Sequence, residues 1–152
     1  MLDPENIYAF QRLSDRITTS GRVTASDLAQ LQRMGVKRVV NLAPDTGVGA
    51  LAGEAGMLAE LGIAYVHIPI PFRQPTEAHY AAFVTAIEES EETLHVHCMA
   101  NWRVSAFFYR YHREHGMDES EARALLRRQW TPEHNVYPGS DKWAAIMQPE
   151  SE

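Results

Sequence analysis

A chain of 152 residues, 45% hydrophobic and 22% charged, can bury one core without a disulfide or metal staple and leaves little for a second domain. Its net charge of −6, with no lysine or arginine block able to track a phosphate backbone, argues against nucleic acid as a partner, although local donors can still hold a small anion. The single cysteine excludes an internal disulfide and makes a cysteine-rich zinc site implausible. The acidic start Met1-Leu2-Asp3-Pro4-Glu5 lacks a leader's basic and apolar regions. No run approaches the roughly 20 apolar residues of a membrane span. The expectation is a cytoplasmic domain over residues 1–152, without cofactor, metal or membrane contact, whose lone thiol stays reduced. No motif speaks to oligomeric state.

In chain order, Thr24 with Asp27 three places on resembles a capping box, opening a helix that places Leu28, Leu31 and Met34 on one face and stops at Gly35. Residues 37–42 read as a buried strand, 43–49 as a loop and 50–61 as an alanine-rich helix ending before Gly62. Ile63 to Ile70 is the next strand, closed by Pro69 and Pro71. Thr76 caps a helix carrying Tyr80, Phe83, Val84 and Ile87. Residues 93–97 alternate as a short strand that runs into Cys98. Val104, Phe107, Phe108 and Tyr111 then repeat at helical spacing, with Tyr109, Arg110 and Arg113 read as surface. Asp118 and Glu121 open a helix that turns Ala122, Leu125, Leu126 and Trp130 inward. Strands alternating with helices imply an α/β domain, a mostly parallel central sheet flanked by helices, with binding at the C-terminal ends of its strands. Cys98 falls at such an end.

The segment His97-Cys98-Met99-Ala100-Asn101-Trp102-Arg103-Val104-Ser105 carries the mechanism. A strand delivers a cysteine to a short loop, and the loop feeds a helix N-terminus, whose amides and dipole favour an anion and a thiolate. Met99, Ala100, Asn101, Trp102 and Arg103 form the phosphate-binding cradle. Arg103 is placed to fork two phosphate oxygens, Ser105 to stabilise the thiolate, and Asn101 to tolerate positive φ. His97 reads as a support for the loop. Trp102 either lines an aromatic substrate's pocket or packs on the following helix. His67 reads as a satisfied core histidine, and His112 with His115 as a solvated face.

His-Cys, a short loop, arginine and serine resemble the signature of the protein tyrosine and dual-specificity phosphatases. Ser14-Asp15-Arg16-Ile17, Thr19-Ser20-Gly21, Val39-Val40-Asn41-Leu42, His67-Ile68-Pro69-Ile70 and Pro75-Thr76 are similar to stretches of a small bacterial branch of that superfamily. The resemblance runs from about residue 7 to about residue 130. It implies a cysteine-phosphatase fold and hydrolysis of phosphate monoesters, in a protein or a small molecule, through a phosphocysteine on Cys98. Four residues separate Cys98 from Arg103 where the family has five, while Ser105 keeps its distance. Either the cradle is one residue shorter, or Val104 occupies the arginine's place. The family's aspartate acid would fall at 71–76, which holds no carboxylate; Asp45 on the 43–49 loop is the candidate general acid, with Glu77 and His79 as alternatives. A rhodanese-like sulfurtransferase with a Cys98 persulfide and a phosphate-binding pseudophosphatase are the competing readings.

Overall fold

Short runs rich in valine, isoleucine and threonine pair into a five-stranded sheet. Strands β1 (Gln11–Arg12), β2 (Ile17–Ser20), β3 (Arg38–Asn41), β4 (Ala64–His67) and β5 (Leu94–His97) lie in the order β1-β2-β5-β3-β4. Only the β1–β2 pair is antiparallel, and β5 sits at the centre between β2 and β3. This computed structural model describes residues 3–47, 49–135 and 137–149. Met1 and Leu2 of the acidic start and Val48 of the 43–49 loop lie outside the described residues.

Successive strand side chains point to opposite faces, and the core divides accordingly. Val39 joins Leu28, Leu31 and Leu58 beneath α1 (Ala25–Arg33) and α2 (Glu54–Glu60). Its neighbour Val40 joins Leu94, Val96, Phe83 and Phe107 beneath α3 (Glu77–Glu88), α4 (Trp102–Glu114), α5 (Glu119–Arg127) and α6 (Ser140–Met147). Thr24 and Thr76 form the capping boxes that start α1 and α3. Each such cap stabilises by about 1 kcal/mol.

Several expectations shift: the strand read from Ile63 to Ile70 is shorter, Ala64–His67, and the helix opened at Asp118 ends at Arg127, before Trp130. The helix expected over 50–61 begins only at Glu54, because Gly49 and Gly53 take positive φ (90° and 78°) and hold residues 49–53 as loop. Tyr109, read as surface, is 2% exposed; Arg123 lies over its ring, 4.8 Å from the centroid, and its hydroxyl bonds Glu119. Arg110 is drawn in too, lying 4.0 Å over the Tyr80 ring while pairing with Glu77 and Glu114. Strands β1 and β2 and helix α6 join the elements read from periodicity. No helix among the described residues is long and apolar enough to cross a membrane.

Candidate active site

The central strand fixes the cysteine. The Cys98 amide donates toward Ser20 O on the β2 side (3.4 Å), and Leu42 N on the β3 side donates to His97 O (2.9 Å). Asn101 ends the loop in the left-handed region, φ 64°, where asparagine is tolerated better than most residues. It is fully buried. Its Nδ2 donates to Ala9 O and Thr19 Oγ1, both at 3.0 Å, while Oδ1 has no partner among the described residues. Helix α4 then runs for 13 residues with no acidic residue in its first turn. Among the described residues, none of the amides of Met99 through Val104 donates to a carbonyl. Unsatisfied amides grouped at a helix start can hold an anion.

A polar layer underlies the cradle. His95 is fully buried between Thr18 Oγ1 (2.8 Å from Nδ1) and Ser20 Oγ (2.7 Å from Nε2). Ser20 donates to Gly21 O, so Nε2 carries the proton and Nδ1 accepts from Thr18. Burial, reinforced by nearby His97, holds the His95 pKa well below the ordinary value. His97 Nε2 lies 2.6 Å from Glu54 Oε2, both groups being buried, and its Nδ1 lies 3.3 Å from Cys98 O. The contact gives His97 a carboxylate partner from α2. Asn41 Nδ2 reaches Tyr65 Oη at 3.1 Å. Burial raises the Tyr65 pKa; the Asn41 bond lowers it, and the charges of Glu54 and Asp45 raise it further.

Above this layer opens a cavity of about 290 Å3, whose walls include Arg22, Asp45, Glu54, His67, Cys98 and Met99. Asp45 is exposed. His67, half-buried, is satisfied by Ala43 O (Nε2 at 2.7 Å).

Arg103 lies elsewhere. Its Nε donates to Ile70 O (2.9 Å) and its guanidinium carbon is 5.2 Å from the centroid of Phe72; it does not line the cavity. The cause is crowding on that flank: Phe72 packs on Trp102, Trp130, Tyr137 and Trp143, and Trp143 Nε1 donates to Phe72 O at 2.6 Å. Val104 is fully buried in the core. Ser105 Oγ donates to Trp102 O at 3.2 Å. Trp102 stacks on Trp130, rings 4.7 Å apart and 3° from parallel, so it packs against the C-terminal elements. His79 caps α3 and Glu77 pairs with Arg110. Of the half-buried His112 and exposed His115, His112 has its pKa lowered by burial. The sequence reading did not single out Arg22 or Glu54 for the site; each is an isolated charged residue far along the chain from Cys98.

The model of the family described as DSP-PTPase phosphatase fused to NAD+ kinase matches residues 5–138. Among curated proteins, the beta-lactamase hydrolase-like protein of Xylella fastidiosa (strain Temecula1) is 30% identical over 97 residues, 60% of this chain and 22% of the relative. This chain therefore corresponds to a minor part of that relative's length. Among solved structures, a DUF442 candidate phosphatase of Shewanella putrefaciens CN-32 superposes with a TM-score of 0.78 at 27% identity, covering 93% of this chain and 89% of that one. TpbA of P. aeruginosa, crystallised with phosphotyrosine, gives a TM-score of 0.69 at 18% identity, with 99% and 95% covered. The single-domain α/β fold, its mostly parallel sheet flanked by helices, is that of cysteine phosphatases.

Proposed function

The chain belongs to the family described as DSP-PTPase phosphatase fused to NAD+ kinase, and on that premise we propose that it hydrolyses phosphate monoesters through a phosphocysteine on Cys98. One observation carries the reading: Cys98 directly follows the central strand and opens a loop whose amides, Met99 through Val104, find no carbonyl among the described residues. Residues 1–152 are read as one such domain.

The Cys98 thiolate attacks phosphorus while the ester oxygen leaves and takes a proton from Asp45, the exposed carboxylate of the 43–49 loop on the cavity wall. The amides of Met99, Ala100, Asn101, Trp102 and Arg103 receive the negative oxygens. Water then attacks the phosphocysteine, returning its proton to Asp45; the P–S bond breaks, phosphate leaves and the thiolate is restored. Ser105 serves the thiolate by turning its hydroxyl away from Trp102 O. His97, tied to Glu54, holds the Cys98 carbonyl. Arg103 fastens the 70–72 segment to the cradle through its Nε bond to Ile70 O. The phosphorylated substrate is a protein or a small molecule; the TpbA likeness, one of fold, sits beside a bound phosphotyrosine.

Two observations favour a second reading, an anion-binding protein without turnover: residues 71–76 hold no carboxylate, and Arg103 is engaged elsewhere. Kinetics decide. Parent and Cys98→Ser are assayed on p-nitrophenyl phosphate with and without EDTA, and on thiosulfate. The proposal expects turnover lost in the variant, unaffected by EDTA, and no sulfur transfer. Turnover kept by Cys98→Ser overturns it, and binding without turnover in the parent selects the second reading. Thiosulfate turnover that depends on Cys98 selects the sulfurtransferase.

A further inference from the structure

Two arginines flank Cys98, and they are placed differently. Arg103 spends Nε on Ile70 O. Arg22 enters no ion pair among the described residues and lines the cavity with Cys98 and Met99.

The position of Arg22 is built. Its amide donates to Met99 O at 3.0 Å, so its backbone is tied to the first residue of the cradle. A Cβ added at Gly21 would stand 2.6 Å from Tyr8 Cδ2 and 2.7 Å from Met99 O, so only glycine lets the ring and the cradle close on this turn. The side chain then crosses Gly49, where an added Cβ would lie 3.0 Å from both Arg22 Cδ and Met99 Cε. The guanidinium carbon ends 4.4 Å from the centroid of Tyr8. Stacking uses the face of a guanidinium and leaves its N–H edge free to fork an oxyanion.

We propose that Arg22, not Arg103, presents the guanidinium to the phosphoryl oxygens held at Cys98. The proposal rests on the anion-cradle reading above. It makes Arg22 a catalytic residue that stabilises charge on the non-bridging oxygens and makes Arg103 a positioning residue for the 70–72 segment.

The test is tungstate binding to the full chain by calorimetry, which needs no turnover, with thermal melts as a fold control. Arg22→Gln should weaken tungstate at least about tenfold, as loss of a charge-assisted fork requires. Arg103→Gln should lower the melting temperature and weaken tungstate less than Arg22→Gln does. On p-nitrophenyl phosphate, Arg22→Gln should reduce kcat/KM by about 10²–10³. Parent affinity in Arg22→Gln overturns this proposal and leaves the cradle reading standing, whereas a parent that binds no tungstate overturns both. Should Arg22→Gln fail to fold, Arg22→Lys decides: it keeps the charge without the fork, and full tungstate affinity in it overturns the proposal.

Discussion

On one flank of Cys98 the space is filled. Phe72 sits among four aromatic rings, Trp143 bonds its carbonyl, and Arg103 lies over it, bonded to Ile70. On the other flank the same pairing, an arginine over an aromatic ring, stands beside an open cavity walled by Asp45, Glu54, His67 and Arg22. The difference lies in what neighbours each pair. Tryptophans from α4, from the segment after α5 and from α6 close the first flank. Residues 49–53 wall the second, and Gly49 lets that loop pass close to Arg22 and Met99. A guanidinium is worth more to an anion where its N–H edge is unspent, which is why the oxyanion contact is proposed on the open flank.

The largest expected effect breaks the filled flank. Trp143 is fully buried, and Trp143→Ala should cost about 3–5 kcal/mol, read from urea denaturation. A loss under about 1 kcal/mol would mean that α6 does not hold this flank.

Next comes the open flank. Asp45→Asn should leave stability unchanged, since Asp45 is exposed. It should slow an alkyl phosphate about 10²-fold and p-nitrophenyl phosphate, whose leaving group is already good, much less. Equal slowing of both would remove Asp45 as the acid.

At the hinge between the flanks, Asn101→Ala keeps a positive φ on an L-residue and forfeits two side-chain bonds, costing about 2 kcal/mol. Asn101→Gly should relieve the backbone part and be the milder change, as denaturation of both variants would report.

The smallest effect is a pH dependence. Burial depresses the His95 pKa below 6.5, and half-buried His112 shifts the same way. The folded state therefore refuses protons that the unfolded chain accepts. Stability is full above about 6.5 and declines as pH falls through it. Melting temperature between pH 7.5 and 6.0 should drop; a flat or rising profile would mean that His95 takes up its proton in place.

Much of the fold was legible because local and tertiary signals agree. The capping residues Thr24, Thr76 and Asp118, the Val39-Val40 pair and the alternation into Cys98 all name their elements. Strand β2 was harder: Ile17-Thr-Thr-Ser has little apolar alternation because Thr18 and Ser20 bond His95. Helix α6 shows Trp143 and Met147 at i and i+4, beyond the stretch that carried the family resemblance. Asn101's positive φ followed from residue type alone. The destinations of Arg103 and Arg22 did not, since packing decides which way a long side chain runs. Nor did the Glu54–His97 contact, which joins residues 43 apart in the chain.

The central claim is a covalent phosphocysteine, and acid quenching during turnover of a ³²P-labelled aryl phosphate tests it most directly. The account predicts label bound to the rapidly denatured parent protein and absent from Cys98→Ser. Turnover by the parent with no label trapped, or label surviving in Cys98→Ser, would contradict it.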